Sequence, residues 1–96
     1  MKESKPQIVR TYSAGVFFGK IVSQKGQEII MTEARRLWYW DGAASLSQLA
    51  MEGTKVPANC KFPVAVDRVK LFQVIEILDV TDVAAKSINE VPIWKK

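Results

Sequence analysis

The apolar residues of this chain fall in short runs of β-branched and aromatic side chains, each cut off by a turn signal, and that punctuation sets what it can fold into. Pro6 bars a helix from running through the start, and Gln7 to Ser13 is rich in strand formers. Gly15 separates it from a second strand, Val16 to Ser23. Gln24-Lys25-Gly26-Gln27 then turns the chain into a third, Glu28 to Thr32, so the two read as a hairpin. Arg35 to Trp40 reads as a fourth strand, ended by Asp41-Gly42. Ser45-Leu46-Ser47-Gln48 fits a capping box. In it the Ser45 hydroxyl accepts from the Gln48 N–H, and the Gln48 side chain reaches back to Ser45. Leu46, Leu49 and Ala50 share a face, and Gly53 closes a helix of about two turns. Thr54 to Pro63 is a loop. Val64 to Val66 and Val69 to Leu71 are short apolar runs around Asp67 and Arg68. Gln73 to Val80 is the clearest late strand. Thr81 caps a second helix reaching Ile88, with Asp82 favoured in its first turn. Val91 to Trp94 reads as a closing edge strand, where Pro92 is tolerated. The expectation is an α+β, mostly β fold: a small antiparallel sheet, or a partly open SH3- or OB-like barrel, with two short helices. Residues 1–6 are expected to form a flexible tail and residues 7–96 a single domain.

Composition removes several function classes. Histidine is absent, which excludes Ser/His and Cys/His nucleophilic machinery and His-ligated zinc. The single cysteine, Cys60, excludes an intramolecular disulfide and a thiolate metal cluster. Lys61 beside it can lower a thiol pKa, but no histidine is available as base. No catalytic residue, metal or cofactor is predicted. The formal charge is +4, yet Lys2, Glu3, Lys5, Lys95 and Lys96 carry most of it. The body holds ten basic and nine acidic residues, too even for a domain that tracks a phosphate backbone. A chain of 96 residues buries only about 60–65% of its unfolded surface, so assembly into a homo-oligomer would help it. No leader opens it and no run nears the roughly 20 apolar residues of a membrane span, so a soluble cytoplasmic protein is expected.

The densest information lies in Arg35-Arg36-Leu37-Trp38-Tyr39-Trp40. Strand alternation sends Arg36, Trp38 and Trp40 to one face and Arg35, Leu37 and Tyr39 to the other. Three consecutive rings cannot all enter one core, so at least one faces solvent, a partner subunit or a ligand. A guanidinium beside an indole suits a planar anion, the ring stacking on a base and the arginine pairing with phosphate. A helix start at Ser45, with Ser47 and Gln48, adds free N–H groups. Arg10 and Tyr12 share a face of the first strand and supply another cation and ring. The competing reading keeps these rings as core and oligomer interface, Ser45 as a plain cap and Tyr12 as a half-buried tyrosine. Gly15 and Gly19 lack phosphate-loop spacing and suit a bulge or close packing.

Arg10-Thr11-Tyr12-Ser13-Ala14-Gly15-Val16, the stretch Ala34 to Ala50, Cys60-Lys61-Phe62-Pro63 and the closing Ser87 to Trp94 resemble a family of small bacteriophage- and prophage-encoded proteins of unknown function. The resemblance implies a viral origin and expression in a bacterial cytoplasm. In that setting the expected function is a non-enzymatic, homo-oligomeric binding protein that sequesters a small nucleotide-like signal of bacterial anti-phage defence. Its candidate ligand contacts are Arg10, Tyr12, Arg35, Arg36, Trp38, Trp40, Ser45, Ser47 and Gln48. One alternative is a structural or host-protein interaction module with the aromatic strand as interface. The other is a single-stranded nucleic-acid binder using exposed rings as a platform. The near-neutral body disfavours it, and no membrane partner is expected.

Overall fold

The computed structural model describes residues 5–95. Most of the expected tail, residues 1–4, lies outside the described residues, as does Lys96. Five strands form one antiparallel sheet: β1 (Gln7–Thr11), β2 (Val16–Lys25), β3 (Glu28–Arg36), β4 (Val66–Leu71) and β5 (Val74–Asp79). Helix α1 (Leu46–Glu52) lies between β3 and β4, and α2 (Asp82–Asn89) follows β5. The mostly β expectation with two short helices is what the molecule adopts.

Strand order is β4-β3-β2-β1-β5, so β4 and β5 sit at opposite edges although only Phe72 and Gln73 join them. Four inter-strand steps would span about 19 Å in a flat sheet, while that link reaches only about 10 Å. The sheet must therefore curl until its edges meet at this end. Gln73 takes φ 57, and its carbonyl accepts from the Tyr12 N–H while the Val74 N–H donates to Gln27.

Curling gives the sheet two apolar faces. The concave one holds Val9, Phe17, Ile29, Met31, Leu71 and Val74, drawn from every strand and from no helix. The other holds Ile8 and Phe18 under Leu49 of α1, Ile88 of α2 and Phe62. Leu49 and Ile88 are fully buried, each worth about 1.5–3 kcal/mol of transfer free energy. Both helix starts follow the local rules. Ser45 accepts from Gln48 N at 3.1 Å and Thr81 from Ala84 N at 3.1 Å.

Several expectations need correction. The third and fourth strands are one strand, β3, bent by a bulge where Glu33 takes φ 51 opposite Gly19. A β-carbon on Gly19 would lie 2.9 Å from the Ala34 Cα and the Glu33 carbonyl oxygen, so only glycine lets the strands meet there. β3 stops at Arg36, before the tryptophans. The two runs around Asp67 and Arg68 are also one strand, β4, because an edge strand leaves those charges in solvent. Val91 to Trp94 makes only a single parallel bridge, Phe62 to Ile93. The Gln48 side chain accepts from Ala44 N at 2.7 Å instead of reaching Ser45.

Candidate functional site

Beyond β3 the chain stays extended and is held on both sides. The Leu37 N–H donates to Val16 O at 2.8 Å, and the Lys61 N–H donates to Tyr39 O at 2.7 Å. Asp41-Gly42 then turns it away, with Gly42 at φ 83 and the Thr54 hydroxyl donating to the Asp41 carbonyl. Arg35 and Leu37 are buried while Arg36 and Trp38 are exposed, as alternation requires. Alternation ends there, because no full ladder holds the next residues. Tyr39 is half-exposed, and Trp40 is half-buried against the helix-covered core, so Trp40 and Tyr39 do not keep the faces expected of them.

Opposite this ribbon lies the β1–β2 turn. Thr11 builds it twice over: its hydroxyl donates to Gly15 O at 2.9 Å and accepts from Ala14 N at 2.9 Å. Gly15, at φ 96, lets the turn close. Between turn and ribbon is an open groove of about 390 Å³, walled by Ser13 to Val16 on one side and Arg36, Leu37, Trp38 and Trp40 on the other. Trp38 is 63% exposed. The Arg36 guanidinium lies 4.6 Å from the centre of the Phe17 ring, and among the described residues it has no ion-pair or hydrogen-bond partner. Contact with the Phe17 ring leaves the guanidinium N–H groups available to meet an anion.

The other predicted contacts are spread elsewhere. Arg35 is 7% exposed and spends its guanidinium on five carbonyls. Nε donates to Pro63 at 3.0 Å and Nη1 to Ile88 at 3.0 Å. Nη2 donates to Phe62, Val91 and Pro92 at 3.0, 2.7 and 3.1 Å. Burial lowers its pKa, against an opposing effect of Cys60. Arg35 is thus a structural cation and not a phosphate contact. Arg10 is paired with Glu76 at 2.9 Å. Tyr12 is 77% exposed just past the end of β1 and lines no part of the groove. Ser45 and Gln48 cap the seven-residue α1, Ser47 is exposed on it, and none of the three reaches the groove.

A second groove, about 320 Å³ and almost wholly apolar, opens on the other side of Arg36 between Phe17, Ala34, Pro63, Val64, Val66 and Val69. Sequence reading missed it, because its walls come from three separated segments. A larger cavity of about 460 Å³ lies near Gln7 and Asp79. It offers no ring, and those two side chains already bond each other at 2.8 Å. Among the described residues no three His, Cys, Asp or Glu side chains come together to hold a metal ion, and no helix is long and apolar enough to cross a membrane.

Fold and site together define a small curled-sheet domain with two open grooves sharing one arginine. The chain belongs to a family described as a domain of unknown function (DUF6948), whose model matches residues 4–88. No curated protein and no solved structure matches it.

Proposed function

We propose that the chain is a phage-encoded, non-enzymatic binding protein that works as a homo-oligomer in the bacterial cytoplasm. It sequesters a small nucleotide-like signal of anti-phage defence. The observation that carries this reading is the groove between the β1–β2 turn and the Arg36–Trp40 ribbon. It offers the exposed face of Trp38, the half-buried Trp40, and an arginine edge with no carboxylate partner among the described residues. A base stacks on the indole, its polar edge meets Ser13 and the turn backbone, and its anionic group meets Arg36. Of the candidate contacts, Arg36, Trp38 and Trp40 remain in one protomer's groove, joined by Ser13. Isothermal titration against cyclic nucleotides and ADP-ribose derivatives tests the reading. Saturable heat that Trp38→Ala abolishes supports it. No heat with any of them, or with bacterial signal extracts, removes its support.

A host-protein interaction module is the second reading. The favouring observation is a solvent-facing cluster in which the Lys61 ammonium lies 5.8 Å from the Tyr39 ring centre and 5.6 Å from that of Trp94. Rings and a cation at a surface suit a protein interface. Capture of one host protein that Tyr39→Ala and Trp94→Ala abolish, with no small-molecule heat, would favour this reading.

A further inference from the structure

We propose that the ligand of this site carries one internal negative charge: a phosphodiester with a planar heterocycle on one side and an apolar group on the other. The inference rests on the binding reading above and names the ligand class that reading leaves open.

Arg36 lines both grooves, and among the described residues it is the only charged side chain lining either. The remaining arginines do not help. Arg10 is committed to Glu76, Arg35 to five carbonyls, and Arg68 lies out on edge strand β4. One cation with no ion-paired carboxylate among the described residues balances one negative charge. A terminal mono- or polyphosphate brings two or more, and the excess finds no second cation among the residues lining either groove.

The two grooves also differ in chemistry. Trp38, Trp40 and the Ser13 hydroxyl offer ring faces with a polar edge, which suits a heterocycle. On the other side Ala34, Pro63, Val64, Val66 and Val69 offer hydrocarbon and almost no polar atom. A group entering there gains by burying apolar surface and has nothing to hydrogen-bond. An anion seated at Arg36, between the grooves, therefore has a substituent on each side. That describes a diester and not a chain end.

Titration calorimetry with two defined probes tests this: thymidine 5′-(4-nitrophenyl) phosphate, a monoanionic diester, and thymidine 5′-phosphate. The diester should bind at least about tenfold more tightly. Val66→Ser and Val64→Ser, both at exposed positions on the slot's rim, should each shrink that margin while leaving thymidine 5′-phosphate affinity unchanged. Arg36→Gln should abolish binding of both. Equal or tighter binding of the 5′-phosphate overturns the single-charge inference and leaves the nucleotide reading standing. A margin that survives both slot variants, with far-UV circular dichroism unchanged, overturns it as well. If neither probe binds and the cyclic nucleotides give no heat, the underlying reading falls with it. If either valine variant fails to fold, the wild-type comparison of the two probes still decides.

Discussion

Arg35 is a polar side chain whose removal should damage the fold rather than the groove. Its guanidinium joins the β-sheet to two segments distant in sequence, Phe62–Pro63 and Ile88–Pro92, through five carbonyl oxygens. Arg35→Met keeps the length and removes every donor. Bonds to Phe62, Ile88 and Val91 are buried, but the Phe62 carbonyl keeps the Trp94 N–H and the Ile88 carbonyl keeps the Val91 N–H, so among the described residues only the Val91 carbonyl is left without a donor. The bonds to Pro63 and Pro92 are part-buried, and those carbonyls can rehydrate. An unsatisfied buried carbonyl costs about 1–3 kcal/mol, and relief of the charge's own desolvation returns part of the sum. One orphaned carbonyl and four weakened ones make the expected net loss about 2–3 kcal/mol, against a total stability of roughly 5–10 kcal/mol for a domain this small. Arg35→Lys keeps a charge with fewer and differently aimed donors, so it should lose about half as much. Urea unfolding followed by circular dichroism reads both. A loss below about 1 kcal/mol for Arg35→Met would refute the assignment of Arg35 as a strut.

Gly19→Ala should cost about 1–3 kcal/mol in the same assay, because its methyl meets β3 backbone that has no room to move. Trp38→Ala and Trp40→Ala should separate function from folding. The exposed Trp38 should lose ligand heat with under about 0.5 kcal/mol of stability, whereas the half-buried Trp40, packed on the core, should lose about 2 kcal/mol as well. Ser45→Ala should lower the urea midpoint by the equivalent of about 1 kcal/mol and leave ligand binding untouched, since Ser45 caps α1 and lies outside the groove.

What could be read in the sequence was what neighbouring residues decide. The caps at Ser45 and Thr81 depend on bonds spanning three residues, and both formed. The alternation Arg35 in, Arg36 out depends only on extended backbone, yet the use of each arginine does not. Arg35 is buried because carbonyls near residues 62 and 90 converge on it, and no local pattern announces that. The bulge at Glu33 was hidden because a glutamate at positive φ is uncommon and its reason, Gly19, lies on another strand. The same bulge interrupts the alternation along β3, so its two halves look like separate strands in the sequence. Asp67 and Arg68 masked β4, since two adjacent charges interrupt the apolar runs by which a strand is read, and both can face solvent only because β4 is an edge, a property of the whole sheet. The apolar slot required strand register to bring Phe17, Ala34 and Val66 together.

The three tryptophans supply an internal control for the most direct test. In an indole ¹H–¹⁵N spectrum each ring gives one signal, assigned by single Trp→Phe variants. Titration with a 3′,5′-cyclic nucleotide should shift the Trp38 and Trp40 signals together and saturate, leaving Trp94 where it stands, because Trp94 lies with Lys61 and Tyr39 outside the groove. Signals that stay fixed at millimolar nucleotide, or a response confined to Trp94, would contradict a nucleotide-binding groove beside Arg36.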